Sequence, residues 1–129
     1  MTGTLSFAPG VQLITPPTAG GSRILGTLEF IARTLGVGLL ITSGTEGHPS
    51  TDSHARGHAF DLGTIMLSVI LVLTIYTLVT ALLGPAFYVQ LEGPSPTPRD
   101  PAFLPIYVHN PGATAEHMHL QVRLGTMYP

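Results

Sequence analysis

Two short stretches hold nearly half of the side chains in this chain that can bind a metal or move a proton. The first is Ser53-His54-Ala55-Arg56-Gly57-His58-Ala59-Phe60-Asp61-Leu62, and the second, far along the chain, is Glu116-His117-Met118-His119. The chain has six histidines and seven acids. His54, His58, Asp61, Glu116, His117 and His119 all fall in these stretches. A chain this poor in charge has little reason to gather such groups unless chemistry uses them. It has no cysteine, so a metal would have to be held by His, Asp or Glu. His54, Asp61 and His119 make a two-histidine, one-carboxylate set. That is the kind of set that holds catalytic zinc (Zn2+) and leaves a fourth position to water. Zinc lowers the pKa of that water towards neutrality, and a nearby carboxylate or imidazole takes its proton during attack. Glu116 and His117, beside the third ligand, are the catalytic candidates. Gly57 and Ala59 are small enough to let backbone approach a metal or substrate closely.

These residues need a framework to hold them, and hydrophobic spacing outlines one. Residues 1–21 are rich in Gly, Pro and Thr and read as an N-terminal arm with a short strand at Val11–Ile14. Ser22 offers a helix N-cap, Ile24, Leu25, Leu28, Ile31 and Leu35 recur at helical spacing, and Gly36 supplies the stop. Val37 to Thr42 reads as a buried strand. A Ser-Gly loop through Gly44, Gly47 and Pro49 then leads into the first ligand stretch. From Gly57 the pattern alternates, with His58, Phe60 and Leu62 on one side and Ala59 and Asp61 on the other. This directs His58 away from the metal, while Phe60 packs into the core. Phe87 to Leu91 reads as a strand, and residues 93–115, with six prolines, as a long irregular loop of the kind that forms lids or contact surfaces. His117 to Leu124 alternates strictly: His117, His119, Gln121 and Arg123 share one face, and Met118, Leu120, Val122 and Leu124 the other. The fold class expected is α+β, a small antiparallel sheet carrying the zinc site, flanked by two helices and the Pro-rich loop. Residues 22–129 form its single domain.

Only 9% of residues are charged, the net charge is −2, and five arginines with no lysine make up the basic residues. That excludes a nucleic-acid surface, which needs clustered cations. Met1 to Gly10 lacks a basic segment followed by an apolar run, so it does not read as a signal peptide, and localisation is left open. Residues 65–83 contain no charge and as a helix would cover about 28 Å, close to a bilayer's hydrocarbon thickness. Against a membrane span, Thr74, Thr77 and Thr80 form a weak polar stripe, and no basic residues flank the segment. A span would also place Asp61 and His119 on opposite sides of the bilayer. The favoured expectation is a helix buried within or between subunits, giving a homo-oligomer contact through 65–83.

The motif Ser53-His54-x-x-Gly57-x-Ala59-x-Asp61 resembles the signature of the zinc D-alanyl-D-alanine carboxypeptidase family, which includes phage L-alanyl-D-glutamate endolysins and shares its fold with the hedgehog signalling domain. The family's third ligand is the last histidine of a Glu-x-x-His or His-x-His motif, and Glu116-x-x-His119 and His117-x-His119 match both forms. The resemblance covers about residues 22 to 124 in element order. It implies a zinc peptidase acting on peptidoglycan stem peptides, with His54, Asp61 and His119 as ligands and Glu116 as general base. His117 would then polarise the scissile carbonyl. Two departures stand out. Where family members often carry a carboxylate-binding arginine, this chain has Thr45-Glu46, leaving Arg56 or Arg123 as substitutes. The uncharged helix is the other. The alternatives are a structural, self-assembling protein with a silent metal site, and a membrane-associated protein anchored by 65–83.

Overall fold

A computed structural model of the chain describes residues 3–48, 53–54 and 56–123. Six strands and two helices follow the order β1 (Leu5–Phe7), α1 (Ala19–Leu35), β2 (Leu39–Ser43), β3 (Ala59–Gly63), α2 (Val69–Leu83), β4 (Phe87–Gly93), β5 (Tyr107–His109) and β6 (His117–Val122). One sheet contains all six strands in the order β1-β2-β3-β6-β4-β5. The four central strands pair antiparallel, as expected, but β1 runs parallel to β2 and β5 parallel to β4. The fold is therefore α+β with a mixed sheet rather than an antiparallel one. Both departures come from segments with little strand pattern. Leu5–Phe7 lies in the expected arm and takes the edge place instead of Val11–Ile14. Tyr107–His109 lies inside the Pro-rich loop, which also forms a short 3-10 turn at Pro101–Phe103. Edge strands this short are specified by their partners more than by their own composition.

Helix α1 begins three residues before the expected cap. Thr18, not Ser22, is the N-cap, its hydroxyl accepting from Gly21 N at 2.9 Å. The same hydroxyl donates to Gly57 O at 3.0 Å, which ties the helix start to the turn carrying His54. Gly21 and Gly57 permit this: a Cβ on Gly21 would run into Gly57 O, and one on Gly57 into Ile14 Cγ2. Gly57 also has φ +75°, where other residues are strained. The close approach that Gly57 allows is therefore to the chain itself, not to a metal or substrate.

Helix α2 begins at Val69 behind the Ser68 cap, whose hydroxyl accepts from Leu71 N at 3.2 Å. Its 15 residues span only about 22 Å. No helix among the described residues is long and apolar enough to cross a membrane. The Thr74 and Thr77 hydroxyls donate to the carbonyls of Ile70 and Leu73 one turn back, so the helix itself satisfies these two polar groups. Val72, Ile75, Val79 and Leu83 are buried and join Ile24, Leu28 and Ile31 of α1 in one core. The sheet supplies Ile41, Phe60, Leu62, Leu91, Met118, Leu120 and Val122 to that core. Burying each such side chain contributes about 1.5–3 kcal/mol. Strand alternation then turns Asp61, Glu92, His117 and His119 to the opposite face of the sheet.

Candidate metal centre

Three sequence segments converge on that face. Asp61 and His119 are direct cross-strand partners on β3 and β6. His54 comes from the turn before β3, which is closed by Gly57 N donating to His54 O at 3.0 Å and His58 N to Ser53 O at 2.8 Å. His54 stacks on His48, with ring centroids 4.2 Å apart and planes 9° from parallel. A shift in the β2–β3 register sets Ser43 opposite Asp61 after Ile41 has paired with Leu62. This bulge turns Ser43 onto the site face, where its hydroxyl meets His48 Nε2 at 2.8 Å.

The ligand atoms form a small triangle. His54 Nε2 lies 3.3 Å from His119 Nδ1 and 3.3 Å from Asp61 Oδ1, and His119 Nδ1 lies 3.0 Å from the same oxygen. His54 and His119 are buried and Asp61 nearly so. Bonds of 2.0–2.2 Å in a tetrahedron set neighbouring ligand atoms roughly 3.3 Å apart, so the triangle has the dimensions of one face of a tetrahedral site. His54, Asp61 and His119 could together hold a metal ion.

The hydrogen bonds around His119 carry the same message. Its Nε2 meets Gln121 Oε1 at 2.8 Å, and that oxygen also accepts from the Tyr88 hydroxyl at 3.0 Å. An amide oxygen can only accept, so Nε2 carries a proton. In neutral His119, Nδ1 then turns a lone pair toward Asp61 Oδ1. Two lone pairs at that distance repel, so the space between them takes a hydrogen, from His119, Asp61 or the adjacent His54 Nε2, or a metal cation. Burial disfavours charge on His119, but its bonds to Asp61 and Gln121 outweigh this and raise its pKa. Burial likewise works to raise the Asp61 carboxyl, yet the bonds from His119 and His54 hold it well below the usual carboxylate range.

A second pair lies beside the triangle. His117 Nδ1 donates to Ala115 O at 3.0 Å and Nε2 to Glu92 Oε1 at 3.1 Å, with Asp61 Oδ1 3.6 Å from Nε2. Both ring nitrogens therefore donate, and against the cost of burial the Glu92 contact raises the His117 pKa. Glu92 also accepts from Asn110 Nδ2 at 3.1 Å and from the Gln90 amide. These bonds overcome its burial and lower its pKa to about 2. Glu116 lies on the wall of the same cavity. Its Oε1 accepts from Thr64 Oγ1 at 2.9 Å and from Arg99 Nε at 3.0 Å.

The cavity above these groups has a volume of about 700 Å³, and residues 112–116, where the Pro-rich loop runs into β6, form one wall. Its lining includes all five residues picked out from the sequence: His54, Asp61, Glu116, His117 and His119. His58 is not part of it, in keeping with strand alternation. His48 lines it from the Ser-Gly loop, whereas His109 binds Pro94 O at 3.2 Å. Arg123 donates to Phe87 O at 3.2 Å, and Arg56 is exposed outside the lining. Glu46 anchors its loop by accepting from Gln12 N at 2.8 Å. Sequence reasoning missed Glu92, which lines the cavity and holds His117. Alternation from Tyr88 through Gln90 puts it on the site face once the strand is carried past Leu91. Compared with known protein families, curated proteins and solved structures, the chain gives no match.

Proposed function

We propose that the chain is a zinc-dependent peptidase that hydrolyses a peptide bond in peptidoglycan stem peptides. The observation that carries this is the triangle of His54 Nε2, Asp61 Oδ1 and His119 Nδ1, with edges of 3.0–3.3 Å. It lies at the base of a cavity large enough for a peptide. Two histidines and a carboxylate suit zinc, which when bound acts as a Lewis acid and brings the pKa of a water near 7. Gln121 holds His119 in the tautomer that presents Nδ1. His117, kept protonated by Glu92 and Ala115, places a positive charge beside the site to favour the scissile carbonyl oxygen as negative charge develops there. Glu116 is the carboxylate on the cavity wall that takes the proton released in attack and returns it to the leaving amine. The element order and the two ligand motifs support this activity over other zinc hydrolyses.

Metal analysis of the purified wild type beside Asp61→Ala and His119→Ala tests the site. One zinc per chain is expected in the wild type and none in either variant. Folded wild type that takes up no zinc would overturn the proposal, and equal zinc in all three would remove these residues from the site. A peptidoglycan digest with and without chelator then tests the activity.

One observation favours a second function, self-assembly. Ile65, Met66 and Ile70 are exposed by 60%, 92% and 78%, clustered before and within the first turn of α2. Sedimentation decides this: a monomer at every concentration tested argues against an assembly role.

A further inference from the structure

All five arginines lie among the described residues, and the chain has no lysine. Every arginine can therefore be located relative to the cavity. Arg23 donates to Leu82 O at 2.8 Å, in the groove between the two helices. Arg33 pairs with Glu29 on the outer face of α1. Arg123 binds Phe87 O and lies 5.6 Å over the Tyr88 ring. Arg56 is exposed and is not among the lining residues. Arg99 comes nearest, but it is committed: Nε to Glu116, and Nη2 to Thr64 O at 3.1 Å and Leu67 O at 2.8 Å. The cavity instead presents the carboxylates of Asp61, Glu92 and Glu116 beside neutral Thr42, Ser43 and Thr114. Of the histidines lining it beyond the metal triangle, His48 meets Ser43 Oγ at 2.8 Å and His117 is already paired with Glu92.

A carboxylate next to a scissile bond is held by a guanidinium or ammonium group, because losing its hydration without a partner is costly. In this cavity it would meet the carboxylates of Asp61, Glu92 and Glu116 and no uncommitted arginine. We infer that the site takes a peptide bond interior to a chain, with neutral or basic groups on the leaving side, in preference to the bond before a C-terminal residue with a free carboxylate. The enzyme is then an endopeptidase; this deepens, and rests on, the peptidase function proposed above. The hydrogen-bonding edges of Thr42, Ser43 and Thr114 suit the backbone of a continuing chain.

The test uses the zinc-loaded full chain and one stem-type peptide in three forms: the C-terminal acid, its carboxamide, and the peptide extended by two neutral residues. Calorimetry gives binding, and mass spectrometry gives cleavage. The carboxamide and extended forms should bind at least about tenfold more tightly than the acid, the scale of one charge-assisted contact. Thr114→Arg, which places a guanidinium on the cavity wall, should recover about that factor for the acid alone. If the uncharged forms bind better but none is cleaved, the preference for a neutral leaving side stands and the peptidase function, with the endopeptidase assignment, falls. An acid that binds wild type as tightly as its carboxamide overturns the inference whether or not it is cleaved. Failure of all three forms to bind overturns it too.

Discussion

His119 and Gln121, two residues apart on β6, meet through Nε2 and Oε1 at 2.8 Å. This contact decides which nitrogen of His119 faces Asp61. Partners of this kind fix the orientation and basicity of a ligating imidazole, and losing one typically costs about 10–100-fold in metal affinity. Gln121→Met should therefore weaken zinc binding by about that factor in a chelator competition titration, while Gln121→Glu, which keeps an acceptor, should retain most of the affinity. Unchanged affinity in Gln121→Met would mean that the ring is held by its packing alone.

The stability of the metal-free protein should depend on pH in two directions. Burial opposes charge on His117 and His119, but Glu92 and Asp61 more than compensate, so both pKa values rise from 6.5. A raised folded pKa gives stabilisation that is complete below the unfolded value and lost as pH climbs through the folded one. Asp61 and Glu92 move the other way, so their stabilisation is present above about 4 and lost in acid. Thermal melts without metal should peak between about pH 4.5 and 6.5. Added zinc should carry the stable range to higher pH, because it replaces the proton between His119 and Asp61. A metal-free melting temperature that is flat from about pH 5 to 8 would contradict this.

Gly57 carries both a positive φ and a contact with Ile14 that leaves no space for a Cβ. Gly57→Ala should destabilise the fold by about 1–3 kcal/mol, measured by chemical denaturation. It should also lower zinc affinity, because the turn it closes carries His54. Gly47→Ala is the informative companion: its φ is also positive, at +69°, but nothing lies near its missing Cβ. Equal losses in both variants would assign the whole effect to backbone strain and none to the Ile14 contact.

The two faces of α2 should respond differently. Ile75 is fully buried and Ile70 is 78% exposed. Ile75→Ala should cost about 2–5 kcal/mol, while Ile70→Ser should stay within about 0.5 kcal/mol in a monomer. If Ile70→Ser instead lowers a sedimentation coefficient or a concentration-dependent melting temperature, its face is a subunit contact.

Arg99 fastens the Pro-rich loop to the segment between β3 and α2 through Glu116, Thr64 and Leu67. Arg99→Ala should speed amide exchange across residues 94–116 and cost about 1–3 kcal/mol for the acceptors it abandons. Exchange confined to residue 99 and its neighbours would show that the prolines alone hold the loop.

Much of the site was legible because it rests on short-range rules. The period of two in His117 to Val122 puts Met118, Leu120 and Val122 in the core and the histidines on the other face, and both placements are observed. The scarcity of ligand-type residues made His54, Asp61 and His119 stand out, and their ligand atoms do converge. Composition and periodicity do not carry register. Which residue lies opposite His117 depends on how β4 aligns with β6 across the Pro-rich loop, and that alignment brings Glu92 there. The bulge that sets Ser43 opposite Asp61, the parallel edge strands and the choice of Thr18 as cap likewise come from pairing between distant segments. Local alternation determines a side chain's face; only the packed sheet determines its neighbour, because register is a property of two strands and not of one.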